Sequence, residues 1–348
     1  MSPKIAVLGS GANGASIGAD LTIAKHDVVL IDQWPEHVEA MRAKGIRIEM
    51  PGRVLEVPVR AFNLCDVCTF KSQFDIVLLL MKAYDTRWAC QLIEPYLKAD
   101  GLIAAVQNGM TTDTAAEVVG PQRTMGCVIE ISSMMFDPGV VMRHSPPDRS
   151  WFAVGAIDAA AKTREQEIAE LLRNSGAVEV VGDIRATKWM KLVSNATTLV
   201  STALLGLPIH EAVAVPGMRE LMVHAGQEAL DIGAALGHPI TPIFGMNPDE
   251  MRQSNRLVEA MLDTLLAGFT LTHTKTTVLQ DWMKNRHSEV NDLNGLVVAE
   301  AVRLGRSAPV NEAIANLGRR VEGGEIQPSL ANLRLLEDLV RSSATTKT

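Results

Sequence analysis

The chain has 348 residues, more than one ordinary core accommodates and enough for two domains. Its 47% hydrophobic and 21% charged content is that of a globular protein, and a formal charge of −7 argues against a nucleic-acid partner, which requires a basic field. Apolar runs such as Ile76–Met81 fall far short of a membrane span. A strand expected from Lys4 leaves no room for a targeting segment, and four thiols in so long a chain suit a reducing cytoplasm better than a disulfide scaffold. Cys65 and Cys68 form a C-x-x-C, but no second Cys or His pair stands at finger spacing. The expectation is ordinary thiols on a loop, and no metal.

In chain order, Ile5–Leu8 reads as a buried strand, Asn13–Lys25 as a helix, Val28–Ile31 as a second strand and Glu36–Lys44 as a second helix. Val54–Arg60 alternates like a half-exposed strand. Asp75–Leu80 and Leu102–Val106 are fully apolar strands, with a helix over Thr86–Leu97 between them. Continuous apolar strands separated by helices predict a parallel sheet covered on both faces, an α/β Rossmann-type doubly wound fold. Met125–Ile131, Val140–His144 and Trp151–Gly155 add β-like segments, and Arg164–Asn174 a helix. After Asp183 the pattern turns helical: Trp189–Leu205, Glu211–Leu236, Asp249–Leu266, Ser288–Leu304, Asn311–Val321 and Ser329–Val340. The expected layout is a dinucleotide-binding domain at 1–183, an all-helical substrate domain at 184–341, and a disordered tail at 342–348, where apolar residues are absent.

Gly9-Ser10-Gly11-Ala12-Asn13-Gly14 is a G-x-G-x-x-G that directly follows a buried strand and opens a helix. Gly9 permits the tight turn, Gly11 lets the backbone approach a pyrophosphate, and Gly14 allows close helix–strand packing. The helix N-terminus then holds the phosphates, so all six residues are assigned to the cofactor. Asp32 ends the second strand, where a carboxylate hydrogen-bonds a ribose 2′-OH and repels a 2′-phosphate. With no Arg or Lys immediately after it, the expectation is NAD(H) over NADP(H); the alternative is a solvated strand-end residue. Lys82 and Asn108 follow later strands and lie on the same carboxyl edge. Lys82 suits a cofactor neighbour or a surface cation, and Asn108 a nicotinamide-side residue or a turn before Gly109.

With these residues in view the chain resembles the ketopantoate reductase (2-dehydropantoate 2-reductase) family over nearly its whole length. The marks are the Gly9–Gly14 loop, Lys82-Ala83-Tyr84, Gln107-Asn108-Gly109, and Pro138-Gly139-Val140-Val141 with His144. Later come Lys188-Trp189-Met190-Lys191-Leu192-Val193-Ser194-Asn195, Arg286-His287-Ser288-Glu289-Val290, Asn294-Gly295, and Gly305 with Pro309-Val310-Asn311. The family reduces ketopantoate to its 2-hydroxy acid, usually with NADPH. The resemblance implies that Lys191 is the catalytic lysine, that Glu289 binds and orients substrate, that Asn108 and Asn195 line the cleft, and that Lys82 lies near the cofactor. Three departures stand out: Leu199 where many members carry a second Asn, Thr277 where a substrate-binding Ser is usual, and Asp32 at the cofactor-selecting position. The stretch from Thr241 to about His273 also runs longer than typical. Together they keep the reaction class but suggest a less polar pocket, suited to a branched or bulkier 2-keto acid.

The helix pattern bears independently on Lys191. Lys191, Asn195, Thr198 and Thr202 recur at helical spacing as one polar stripe, opposite Trp189, Leu192, Val193, Ala196, Val200 and Ala203. Such a stripe is either a solvated face or a polar-lined cleft, and the lack of further charges favours the cleft. Hydride arriving at a carbonyl carbon leaves charge on oxygen, which an ammonium stabilises and then protonates. Lys188 shares that side and is the rival proton donor; otherwise its removal is expected to do little. Glu289 is read either as a substrate ligand or as an acidic residue in the first turn of a helix beginning at Ser288. The reading is therefore an NAD(P)H-dependent oxidoreductase acting on a small-molecule 2-keto acid, with Thr277 joining Asn108, Asn195 and Glu289 around the substrate and ketopantoate as first choice. The alternatives are an NAD-dependent 2-hydroxy-acid dehydrogenase of another branched acid and a non-catalytic dinucleotide-binding sensor. The Met- and Ala-rich helices fit a homodimer interface and a monomer core equally.

Overall fold

A computed structural model of the chain describes residues 2–71, 73–254 and 256–345. It divides into two compact units, Met1–Lys188 and Trp189–Thr348. The first unit holds every strand found among the described residues: β1 (Lys4–Leu8), β2 (Asp27–Asp32), β3 (Ile46–Met50), β4 (Arg53–Val57), β5 (Ala61–Asn63), β6 (Phe74–Leu79), β7 (Leu97–Val106), β8 (Thr124–Glu130), β9 (Ser133–Met134), β10 (Val140–Arg143), β11 (Trp151–Ala156) and β12 (Ala177–Val180).

Eight of these form one sheet in the order β12-β11-β8-β7-β6-β1-β2-β5. From β5 to β8 all neighbours are parallel, and the order is that of a Rossmann sheet, with β2 and β5 on one side of β1 and β6, β7 and β8 counted onward on the other. β11 runs antiparallel to β8 and parallel to β12. Alternate residues of β1 enter opposite cores: Ile5 and Val7 join one, Ala6 and Leu8 the other. That is why the strand reads as an unbroken apolar run.

Helix α1 (Ala12–Ile23) packs on β1 and β2 and also against a second, four-stranded sheet, β4-β3-β10-β9. This second sheet is not anticipated by the sequence reading, which recognises β10 and part of β4 but not β3 or β9. The β3–β4 hairpin turns at Pro51-Gly52, with Gly52 at φ +72°. The connecting helices of the unit are α2 (Pro35–Lys44), α3 (Thr86–Ile93), α4 (Thr112–Val119), α5 (Ala159–Lys162) and α6 (Glu165–Leu172). Cys65 and Cys68 lie on a 3-10 turn, Leu64–Thr69, and are exposed; Cys90 and Cys127 are buried, which pushes both thiols up to about 12.

The long helix α7 (Ile184–Leu204) begins five residues before the expected Trp189 and carries the chain into the second unit. That unit continues with α8 (Ile209–Val213), α9 (Met218–Ala235), α10 (Pro248–Gln253), α11 (Leu257–Gly268), α12 (Thr277–Met283), α13 (Asn294–Arg303), α14 (Pro309–Glu322) and α15 (Ala331–Thr345). Four expectations change. The helix Glu211–Leu236 is two, parted at Pro216-Gly217, where Gly217 takes φ +83°. The helix Asp249–Leu266 is also two, and residue 255 within it lies outside the described residues. The helix expected from Ser288 starts only at Asn294. The tail expected from residue 342 continues α15 to Thr345, its Ser342 and Ser343 hydroxyls donating to the carbonyls of Asp338 and Leu339; residues 346–348 lie outside the described residues. No described helix is long and apolar enough to cross a membrane.

Candidate active site

β1 ends in a turn that only glycine accommodates. Gly9 has φ +97°, and a Cβ on it would fall 2.6 Å from the Met81 nitrogen. A Cβ on Gly14 would fall 2.0 Å from the Gly9 carbonyl oxygen, so α1 can lie this close to its strand only with glycine there. At Gly11, by contrast, a Cβ meets nothing within 4 Å. Gly11 is also the N-cap of α1, so no side chain competes for the amides of the first turn. An open backbone beneath a positive helix end fits a pyrophosphate.

The flanking side chains brace this loop. The Gly9 and Ser10 amides both donate to Ile31 O, at 2.9 and 3.3 Å, and the buried Ser10 hydroxyl follows them at 3.2 Å. Ser10 therefore turns its side chain toward β2. Asn13 Oδ1 accepts from the Ser133 hydroxyl at 2.6 Å, while Ala12 opens the helix half-buried. His37, unremarked in the sequence, joins three elements. Its Nδ1 accepts from the Gly139 amide at 2.9 Å, which leaves Nε2 protonated to donate to Ser10 O at 2.9 Å.

Asp32 is the last residue of β2 and is buried, contrary to a solvated strand end; its Oδ1 accepts from the Trp34 amide at 2.9 Å. Along the same carboxyl edge, Lys82 stands half-buried before a 3-10 turn, Ala83–Asp85. Asn108 follows β7, half-buried, before Gly109 at φ +69°. Gln107, given no role in the sequence reading, ties these two loops together by donating from Nε2 to Met81 O at 2.7 Å. Lys188 then closes the edge: its buried ammonium donates to Gln107 O at 2.8 Å and to Cys127 O at 3.1 Å. Lys188, the rival proton donor of the sequence reading, thus links the end of β7 to the middle of β8.

In the second unit α7 is buried on nearly all sides, so the polar stripe is not a solvated face. Lys191 is 7% exposed and Asn195 2%. Thr198 and Thr202 donate their hydroxyls to the carbonyls four residues back, at 2.8 and 2.7 Å, so this part of the stripe bonds to its own backbone. The Lys191 ammonium lies over the Phe244 ring, 4.9 Å from its centroid.

Two segments dock onto this helix beside Asn195. Thr276, the N-cap of α12, donates its hydroxyl to Leu199 O at 2.9 Å and so delivers Thr277, whose buried hydroxyl oxygen has no hydrogen-bond partner among the described residues. Asn294 Nδ2 donates to Ala196 O at 2.9 Å and to Asn311 Oδ1 at 2.8 Å. Asn311 in turn donates to Ala225 O and to Glu228, whose carboxylate also receives the Val310 and Asn311 amides. Burial holds the Glu228 carboxyl above its ordinary value. This network accounts for the Asn294 and Asn311 marks in structural terms.

Glu289 is 4% exposed and sits in a bend before α13, not in the first turn of a helix. What holds its segment is Glu322, at the end of α14. Glu322 Oε1 accepts the Ser288 amide at 2.8 Å, the Ser288 hydroxyl at 2.5 Å and, weakly, Trp282 Nε1 at 3.5 Å. Its Oε2 lies 3.3 Å from His287 Nδ1. An acidic residue at a helix C-terminus opposes the dipole, and that misfit was the available sign of its role.

Comparison with known proteins bears on both units. Residues 5–156 match the family described as "Ketopantoate reductase PanE/ApbA", and residues 183–322 its C-terminal counterpart. The 2-dehydropantoate 2-reductases of Archaeoglobus fulgidus and Mesorhizobium japonicum are 24% and 27% identical, covering 92% and 91% of this chain and 98% and 97% of their own. A ketopantoate reductase structure from Ralstonia eutropha JMP134 superposes with a TM-score of 0.74 at 25% identity, over 92% of this chain and 99% of that one. A D-mandelate dehydrogenase bound to NADH and anilino(oxo)acetate shares the fold, with a TM-score of 0.80 at 18% identity and the same coverage. With both halves matched in order, the chain belongs to the ketopantoate reductase family.

Proposed function

We propose that this protein reduces a 2-keto acid to the 2-hydroxy acid, with ketopantoate as first-choice substrate. The observation that carries the reading is the buried Lys191 ammonium one helical turn from Asn195, on a helix whose later hydroxyls bond to their own backbone. A bound dihydronicotinamide supplies the hydride. Lys191 stabilises the charge that develops on the carbonyl oxygen and gives it a proton. Asn108, Asn195 and Thr277 orient the substrate; the unsatisfied Thr277 hydroxyl supports its part. Glu289 accepts a hydrogen bond from substrate or steadies the lysine. Gly9–Gly14 hold the pyrophosphate and Lys82 lies by the cofactor.

Asp32 favours NAD(H), since a 2′-phosphate meets its carboxylate, although the sequence resemblance carries an expectation of NADP(H). The deciding experiment is a panel of 2-keto acids followed by loss of NADH or NADPH absorbance. NADH should give the higher kcat/KM, and Lys191→Ala should lower kcat by roughly 10²–10⁴-fold while cofactor binding persists. A protein that binds NADH and reduces no keto acid would be a sensor, not a reductase.

A further inference from the structure

We propose that Phe244 selects the side chain carried on the keto carbon, C2, of the acid, making an apolar wall beside Lys191 that favours a branched or aryl group over a bare methyl. The inference rests on Lys191 being the proton donor and deepens that reading to a substrate class.

Three observations converge on this residue. The first is the ring itself, 4.9 Å from the Lys191 ammonium. The second is its backbone: Phe244 has φ +60°, a conformation that bulky residues rarely adopt, followed by Gly245 at φ +69°. Strain of this kind persists only where the surroundings enforce it, and it concentrates at functional sites. The third is the enforcement. Ile243 beside it is fully buried, and the Phe269 ring backs the Phe244 ring at 5.3 Å and 45°. The segment between α9 and α10 therefore spends a costly turn to hold an aromatic face against one amine. It lies within the stretch from Thr241 that the sequence marks as unusually long.

Distance allows the ring to touch the substrate. A keto oxygen accepts from an ammonium at about 2.9 Å. Ordinary bond lengths then put C3 roughly 4–5.5 Å from Nζ, the shell that the Phe244 ring occupies. Leu199, one turn beyond Asn195 on the same side of α7, adds a second apolar residue where an amide would have offered hydrogen bonds. When C3 is a bare methyl, most of the ring face stays uncovered, whereas a branched or aryl group covers it. Apolar differences of one or a few carbons change kcat/KM by roughly 10–200-fold.

The test compares kcat/KM for pyruvate, 3-methyl-2-oxobutanoate, ketopantoate and phenylglyoxylate at saturating NADH, in the wild type, Phe244→Ala and Phe244→Leu. The wild type should prefer the branched or aryl acids over pyruvate by roughly 10–200-fold. Phe244→Ala should cut that ratio by about tenfold or more, and Phe244→Leu by a smaller factor. Because the readout is a ratio within one preparation, a general loss of folded enzyme does not mimic it, and the leucine variant carries the test if the alanine variant does not fold. A ratio unchanged in the variants, or equal gains for all four acids, overturns the role of Phe244 alone. A wild type that binds NADH yet reduces none of the four overturns the reductase reading together with it.

Discussion

Lys188 and Lys191 stand three residues apart on one helix and are surrounded differently. Lys191 meets an aromatic ring, whereas Lys188 donates to the carbonyls of Gln107 and Cys127. Removing the Lys188 ammonium takes a charged donor from two buried carbonyls at the sheet edge, at a cost of about 1–3 kcal/mol. Lys188→Ala should therefore lower the thermal midpoint by several degrees in a melting experiment, and loosen the Asn108 loop. An unchanged midpoint would show that the link is dispensable. The difference between the two lysines was not legible in the sequence, because backbone carbonyls accompany every residue type and leave no motif. The same holds for Ser10, which a glycine-rich pattern assigns to the cofactor but whose hydroxyl turns to Ile31 O. That Lys191 and Asn195 share an unsolvated stripe was legible, because side-chain identity and helical spacing suffice to mark it.

The glycine loop separates two functions that its motif merges. Gly14→Ala forces a Cβ into the Gly9 carbonyl and should destabilise the first unit by about 1–3 kcal/mol or more. Gly11→Ala adds a methyl to open space, so the fold should survive while the KM for NADH rises about tenfold or more, measured by steady-state kinetics. At the end of α14, Glu322 holds the segment that carries Glu289. Glu322→Ala removes its contacts to Ser288 and His287 together, and kcat/KM for the keto acid should fall, up to about 10²-fold, with little change for NADH. Glu322→Gln keeps an acceptor for Ser288 and should restore most of that loss; equal damage from both would point to a merely structural charge. Elements that depend on distant partners were the hardest to foresee. The strand Ile46–Met50 alternates buried and half-buried residues over five positions only, too short to stand out directly after a helix, and its partners lie in β4 and β10. The bend at Ser288–Leu293 is likewise set by Glu322 and by Asn294 on Ala196 O, contacts that no local propensity encodes.

Across the whole molecule, the parallel sheet built on β1, β2, β6 and β7 was the most legible feature, since strands buried on both faces must be apolar throughout, whereas the three-residue, half-buried β5 left no such run. The helical character of the second half was equally plain, although helix ends shifted wherever Pro–Gly pairs or side-chain caps intervened. The cysteines carry a further consequence. All four lie within Met1–Lys188, two exposed on one turn and two buried with their ionisation strongly disfavoured. A colorimetric disulfide reagent should accordingly register two sulfurs in the native protein and four after denaturation. The second pair then acts as a built-in reporter of opening in the Met1–Lys188 unit, insensitive to what the cysteine-free helical unit does, where methionine is the only sulfur and does not react. Following that increment during a urea titration, with and without NADH, would show which half gives way first without any added label.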